Sequence, residues 1–550
     1  MPDARALIGA SAASHLGDWL YNAVLLGYVY AATGSAGWVG AATICRLLPY
    51  ALLAPVGGTI ADRYDQRTLL LTGDALRCLL MLGLVAVVAA EGPVVLVLAI
   101  TALASAAGSA ERPAAKALLP RLVGESRLGP ANALLHTLQD LGVVVGPAIG
   151  AVLLVVAPDS VAFAVNAGTF ALSAALISTI RRRVGVASEG EDEGEGAGAR
   201  LRHGFRTARD TPFVVPLLLV VALVEFTYGA QTVQLVLYAD RQLGFGAEGY
   251  GYLLAAAGVG GLLSAAINGR LAASTRASGI VVVTGALFCA TQLAYAATGN
   301  VAIAFLATVV GGAGLVACEV VAETAVARVV PGDVLGRVLA VMGALSVVAV
   351  VTGAVLAPVL ITWTSLTTSL AVLGVATLLA VVICRAGLRG LDALSRERAQ
   401  SLASRVAVIE RLPLVAGAPR MVLEQLASAS QLFPLPPGVD IVVQGAPAHA
   451  FYAVIDGRVV VHRDDEEVAH LGLGDYFGER GLLDEAPRNA TVTTEEPSTV
   501  LRLEGDVLLD ALQAAPTVLS ALERSNGQGR APASQVGQTR LVDDPEWVQA

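Results

Sequence analysis

The chain has 550 residues, 55% hydrophobic and 15% charged, with a formal net charge of -9 and a mean hydropathy of +0.68. A soluble enzyme of this length is not this apolar, and the composition points to a polytopic membrane protein. No basic stripe with interleaved aromatics supports nucleic-acid binding, and no two of the 5 cysteines are spaced as metal ligands or a redox pair.

Hydrophobic runs predict twelve membrane helices, at 9–31, 37–61, 69–90, 93–112, 131–157, 160–180, 213–239, 248–270, 278–297, 301–327, 338–361 and 363–385. Residues 19–45, 277–318 and 338–384 hold no Asp, Glu, Lys or Arg, and each is long enough for more than one crossing of about 20 residues. Met1 to Arg5 runs straight into a first helix too long, and too polar near Asp18, for a cleaved signal peptide. Arg63, Arg67, Lys116, Arg121, Arg181, Arg182, Arg183, Arg270, Arg328 and Arg385 fall in alternate connections, whereas the opposite connections offer only Arg241. The positive-inside rule then places both termini in the cytoplasm of a multi-pass inner-membrane protein.

Ionisable side chains within apolar spans are costly and are functional candidates. Asp18 in the first span, Arg46 in the second, Glu225 in the seventh and Glu319 in the tenth stand out. Asp18 and Arg46 lie at similar depth, which suggests a charge pair, and Glu319 and Glu323 share a helix face. Between the second and third spans, Gly58-Thr59-Ile60-Ala61-Asp62-Arg63-Tyr64-Asp65-Gln66-Arg67 resembles the G-x-x-x-D-R-x-G-R-R signature of the major facilitator superfamily. Gly58 would permit close helix contact while Asp62, Arg63 and Arg67 form a breakable polar latch; Asp65 and Gln66 depart from the usual Gly and Arg and weaken it. In the fifth span, Gly142-Val143-Val144-Val145-Gly146-Pro147-Ala148-Ile149-Gly150-Ala151 is similar to the g-x-x-x-G-P-x-x-G-G motif of the superfamily's exporters. Small residues four apart let helix backbones approach, and Pro147 introduces a bend. With Pro113 to Pro120 and Ala131 to Leu134, these runs resemble the enterobactin-exporter-like branch. Ala110-Glu111, Lys116 and Pro120 are echoed by Ala322-Glu323, Arg328 and Pro331, a faint repeat that would put a substrate cavity between two six-helix halves.

Residues 184–212 read as an acidic flexible cytoplasmic linker between the halves, 1–183 and 213–385, and 386–410 as a coupling helix. From 411 to 525 the character changes. Short β-rich runs at 439–443, 451–455, 458–462, 468–471, 490–494 and 498–503, punctuated by glycines, suggest a small β-barrel or jelly roll with leading helices near 409–414 and 422–426. The tail 526–550 reads as flexible. Within the β-rich part, Phe477-Gly478-Glu479-Arg480-Gly481-Leu482-Leu483-Asp484-Glu485-Ala486-Pro487-Arg488-Asn489-Ala490-Thr491-Val492 suits a sugar-phosphate. A guanidinium gives directed charge-assisted bonds to phosphate, and a carboxylate can accept from a ribose hydroxyl. This run resembles the phosphate-binding cassette of cyclic nucleotide-binding domains. The resemblance implies that Arg488 grips the cyclic phosphate, Glu479 and Gly478 hold the ribose 2'-hydroxyl, and the Arg480 and Gly481 amides cap the phosphate, with Leu482 beside them. Arg480 and Asn489 depart from the family pattern. A polar side chain such as Asn489 would reach the base, which leaves cAMP against cGMP open; cAMP is the favoured expectation.

The expectation is therefore a non-enzymatic chain, an all-α twelve-helix bundle plus a C-terminal β domain, exporting a small amphipathic molecule by alternating access under cyclic-nucleotide control. No G-x-x-x-x-G-K-[ST] loop for ATP is present, so coupling would be to an ion, with H+ expected. The fourth span lacks the superfamily-type arginine of the usual proton relay. The alternatives are a non-transporting membrane-anchored nucleotide receptor, or a constitutive transporter with a degenerate structural barrel.

Overall fold

The computed structural model describes residues 2–123, 125–180, 197–246, 249–274, 276–330, 332–393, 397, 405–410, 420–464, 466–483, 486–505 and 507–508. The chain divides into two compact units, residues 1–122 with 134–395, and 396–550 with 123–133.

The first unit is helical: α1 Pro2–Thr33, α2 Ala36–Arg63, α3 Gln66–Ala89, α4 Val94–Ala107, α5 Glu111–Val123, α6 Glu125–Val156, α7 Asp159–Ser178, α8 Ala197–Asp210, α9 Val214–Arg241, α10 Gly249–Ala273, α11 Ala277–Ala297, α12 Val301–Val329, α13 Gly332–Trp363 and α14 Leu366–Cys384. Oxygen-bearing side chains start several of them. Asp65 accepts from the Thr68 amide at 2.8 Å ahead of α3, Asn300 from Ile303 at 3.1 Å ahead of α12, and Ser365 from Thr368 at 3.0 Å ahead of α14.

Ten helices among the described residues are long and apolar enough to cross a membrane, against twelve expected. The two outside that set are those holding the expected spans 9–31 and 131–157. In α1 the apolar run is broken by Ser14, Asp18 and Asn22, which turn inward; Ser14 and Asn22 are buried. In α6, which runs Glu125–Val156, the stretch 137–153 is the apolar part found among the described residues.

The halves repeat one packing scheme. α3 packs on α4 and α7, α2 on α4 and α1 on α7; correspondingly α11 packs on α12 and α14, α10 on α12 and α9 on α14. α2 meets α13 across the halves. Of the expected flexible linker, 181–196 lies outside the described residues, and 197–210 is the helix α8, packed on α13 and α9. There the Gly/Glu run gives way to Leu201, Phe205 and Ala208 among arginines, a helical spacing.

The expected coupling helix also begins differently. Residues 385–390 form turns, because Gly387 lies against Pro216 and Gly390 against the Phe213 ring. Asp392 then accepts from the Ser278 amide at 2.9 Å and hydroxyl at 2.7 Å, tying this segment to the start of α11. Most of 394–404 lies outside the described residues.

The second unit carries α15 Arg420–Ala429, α16 Glu479–Leu483 and strands β1 Gln431–Leu435, β2 Asp440–Val442, β3 Ala450–Asp456, β4 Val459–Arg463, β5 Glu466–Leu471, β6 Tyr476–Phe477, β7 Thr491–Thr494 and β8 Ser498–Glu504. Two four-stranded antiparallel sheets, ordered β1-β8-β3-β6 and β2-β7-β4-β5, share one core that includes Ile441, Tyr452, Val461, Phe477, Val492 and Val500. β1 and β6 have no counterpart among the strands expected from sequence; Pro434 in β1 pairs opposite Thr499 on an edge. Leu423 and Leu426 of α15 pack with Phe451, Leu501 and Leu503, so the leading helix expected near 422–426 is present. The one expected at 409–414 falls largely outside the described residues.

Candidate functional site

In the second unit the cassette turns between β6 and β7. Phe477 is fully buried and stacks on Tyr452 with centroids 5.3 Å apart. Gly478 then takes φ +93°, and a methyl on it would lie 2.5 Å from Arg488 Nη1. Only glycine meets both demands. Glu479 opens α16 and is 7% exposed. The Gly481 carbonyl accepts from the Ala486 amide at 3.2 Å, and a methyl on Gly481 would lie 2.7 Å from Ala448 Cβ.

Arg488 is 4% exposed. Its Nη2 donates to the Ala450 carbonyl at 2.6 Å and its Nη1 to the Gly478 carbonyl at 3.2 Å. Its own amide donates to the Ala446 carbonyl at 3.3 Å, and its carbonyl accepts from Gly445 at 3.2 Å. The fold thus brings Arg488 against Gly478, with Glu479 buried at the next position of the turn. Of the other expected residues, Leu482 goes elsewhere: it fills the core with Phe451 and Leu503. Asn489 is half-buried, and its carbonyl accepts from Arg463 Nε at 3.3 Å. The Arg480 side chain lies outside the described residues. Burial, then the Glu479 and Asp475 carboxylates, pushes the Tyr476 phenol above its usual range.

In the helical unit, Asp18 pairs with Arg77 of α3 and not with Arg46. Arg77 Nη2 reaches both Asp18 oxygens at 2.6 and 2.7 Å, Nη1 reaches Glu111 Oε2 at 2.6 Å, and the guanidinium lies 4.0 Å from the Phe170 ring centre. One turn away, buried Asp74 accepts from Ser14 and Ser173. Sequence reasoning missed Arg77 and Asp74 and read Glu111 only as part of a repeat. The signal was available for all three, since each is an ionisable residue inside an expected span, 69–90 or 93–112.

Glu225 of α9 and Glu319 of α12 lie near one another, with Ser346 of α13 beside Glu225, while Glu323 is exposed. At the junction of α1 with α2 and the end of α9, the Tyr30 hydroxyl donates to Asp240 Oδ2 at 2.9 Å and accepts from Arg241 Nε at 3.1 Å, joining the two halves.

The turn between α2 and α3 corrects the glycine assignment. Gly58 faces open space, whereas a methyl on Gly57 would lie 2.7 Å from the Ser109 carbonyl carbon; Gly57 is the contact glycine. Arg67 donates to the Ser178 carbonyl at 2.7 Å, Arg63 is exposed, and the Asp62 side chain lies outside the described residues. The departures have partners of their own. Asp65 caps α3, and buried Gln66 donates to the Ala61 carbonyl at 2.9 Å and accepts from Arg121 at 3.3 Å. In α6, a methyl on Gly146 would lie 2.8 Å from both Leu16 O and Leu20 N, and one on Gly150 would lie 2.9 Å from Leu20 O. These glycines, with buried Pro147, seat α6 directly on the α1 backbone.

Repeated helix packing around inward-facing charge, followed by a β domain with a buried Glu/Arg turn, defines a multi-pass membrane protein that carries a ligand-binding domain. Residues 7–317 match the profile of the Major Facilitator Superfamily, and the chain belongs to that superfamily. Residues 432–515 match the cyclic nucleotide-binding domain, which forms its C-terminal part. The chain is 27% identical to the uncharacterized MFS-type transporter YfiS of Bacillus subtilis (strain 168) over 48% of this chain and 63% of that protein. It is 34% identical to the cAMP-dependent protein kinase regulatory subunit of Aspergillus fumigatus over 18% of this chain and 25% of that protein, and 33% identical to the cGMP-dependent protein kinase of Eimeria tenella over 20% and 12%. The chain thus spans under two thirds of the length of these relatives. A solved point mutant of the nucleoside transporter NupG has the same bundle fold, with TM-score 0.59 at 10% identity over 70% of this chain and 99% of that one.

Proposed function

We propose that this chain is a secondary transporter that exports a small amphipathic molecule by alternating access, and that cyclic nucleotide at the C-terminal domain biases its conformational balance. The observation that carries this reading is the buried turn in which Arg488 bonds to Gly478 with buried Glu479 next in sequence, within a chain of the Major Facilitator Superfamily. In this reading the helices form the two six-span halves 1–183 and 213–385, with α1 and α6 crossing as well, and the termini are cytoplasmic in the inner membrane. Residues 411–525 form the nucleotide-binding barrel. Arg488 takes the cyclic phosphate, Glu479 and Gly478 the ribose, and the Arg480 and Gly481 amides the remaining phosphate oxygens. The ligand is cAMP, with cGMP the competitor; kinases named for each nucleotide are among the relatives. Export is supported by similarity to BacE of B. subtilis, which is named for bacilysin export, at 27% identity.

Coupling is to protons, with Glu225 and Glu319, neighbouring carboxyls within the spans α9 and α12, as the carriers. Tyr30, Asp240 and Arg241 close one end of the bundle, and Asp392 gives the C-terminal segment a fixed hold on α11. A hundredfold nucleotide preference for one conformation is worth about 2.7 kcal/mol, enough to carry a 10:90 balance past even. The test is spin-label distance measurement between the ends of α1 and α9 in the full chain in nanodiscs. Addition of cAMP should redistribute the distances, and Arg488→Ala should abolish the response. Distances unmoved by saturating cAMP and cGMP would reduce the C-terminal domain to an ungated passenger.

A further inference from the structure

A cavity of about 390 Å³ opens in the helical unit, the size of a small-ligand site. Its charged lining is Asp18, Arg46, Arg77, Glu111 and Arg112, with His15 at its side; Glu225 and Glu319 are not part of it. Three guanidinium groups therefore face two carboxylates. Both carboxylates are held by Arg77 at 2.6 Å. Among the described residues Arg46 and Arg112 make no ion pair; Arg112, exposed at the rim, lies only 5.9 Å from the Tyr50 ring centre.

The unmatched donors of this wall point the same way. Arg46 Nε, Arg77 Nε and Asn166 Nδ2 are buried in this wall without a hydrogen-bond partner among the described residues, and all three are donors. Buried donors left unmatched cost free energy until an acceptor arrives, and a low-dielectric cleft with excess positive charge concentrates anions. Trp19, Tyr21, Tyr50 and Phe170 supply flat apolar surface beside them.

We infer that this cavity binds an organic anion: a small molecule with an aromatic or apolar body and a carboxylate-like group, held by Arg46 and Arg112. The inference rests on the transporter reading above and specifies its substrate class. Arg77 is a positioning residue that occupies Asp18 and Glu111 so that they do not oppose the ligand's charge.

Trp19 allows a direct test, because the other tryptophans, Trp38, Trp363 and Trp547, can be replaced by Phe to leave it as the sole indole. The full chain, in phosphatidylcholine nanodiscs so that no anionic headgroup competes, is titrated with phenylacetate, phenethylamine and 2-phenylethanol, which share a ring and differ in charge. Phenylacetate should shift Trp19 emission saturably. Arg46→Gln combined with Arg112→Gln should weaken it by at least about tenfold, the worth of one charge-assisted hydrogen bond, while leaving 2-phenylethanol within twofold. Equal or tighter binding of phenethylamine, indifference of phenylacetate to the double substitution, or silence of Trp19 to all three probes would overturn the anion site. Counterflow of labelled phenylacetate and phenethylamine in proteoliposomes separates the two readings. Phenylacetate binding without flux supports the site and breaks the transporter reading; flux of phenethylamine alone does the reverse.

Discussion

Arg488 in the β domain and Arg77 in the helical bundle are almost equally hidden, at 4% and 7% exposure, and bonds of different kinds help to position each. Arg488 donates to the backbone carbonyls of Ala450 and Gly478, atoms whose places are set by strand pairing and by a glycine turn. Arg77 is clamped between the carboxylates of Asp18 and Glu111, 59 and 34 residues away on other helices. Carbonyl oxygens orient a guanidinium, whereas carboxylates also cancel its charge. In the bundle that cancellation hands the cavity's positive field to Arg46 and Arg112.

The contrast is sharpest if each arginine is removed. Arg488→Ala should lower cAMP affinity by at least a hundredfold, since two charge-assisted bonds are worth about 3–6 kcal/mol; calorimetry on the full chain in nanodiscs measures it, and a loss under tenfold would break the assigned role. Arg77→Met should instead strike stability. Two carboxylates lose their partner at a cost on the order of 2–3 kcal/mol, below the fully buried range because Asp18 and Glu111 retain 35% and 26% of their side-chain exposure. Thermal unfolding in nanodiscs reads this, and adding Asp18→Asn with Glu111→Gln should recover most of it. If recovery fails, packing of Arg77 over Phe170 outweighs its charge.

Smaller effects test contacts that carry no net charge balance. Gly146→Val should cost about 1–3 kcal/mol by forcing α6 away from α1, seen as a lower midpoint in the same unfolding assay. An unchanged midpoint would mean that α1 shifts freely. Tyr30→Phe removes two hydrogen bonds at the junction of the halves and should move the access equilibrium by about 1 kcal/mol, read as a shift in α1–α9 spin-label populations. Unchanged populations would assign those bonds to packing alone.

These two arginines also mark what a single sequence discloses. The cassette is legible because Gly478, Glu479 and Arg488 sit within one short run whose spacing reflects one turn, and the strands around it follow alternation and glycine punctuation. Ala450, which anchors Arg488, is invisible in that run because a carbonyl has no residue type. The helices show as charge-free stretches, but partners across helices do not: Asp18 chose Arg77 over Arg46 through packing geometry that depth alone does not encode. Helix α8 escaped because the acidic run before it coloured the whole segment, and Gly57 was passed over for Gly58 because a motif names positions without saying which one touches a neighbour. Asp65 and Gln66, read as weakened letters of a signature, are a cap and a buried amide with their own bonds.

Pro434 has a meaning for life in a crowded membrane. Among the described residues β1 is bonded to β8 alone, and its other side is the place where a neighbouring molecule's strand would extend the sheet. A proline there has no N–H to offer, so that ladder is interrupted. A second copy that met this edge would find no donor at Pro434, so the contact could not run on as one continuous sheet.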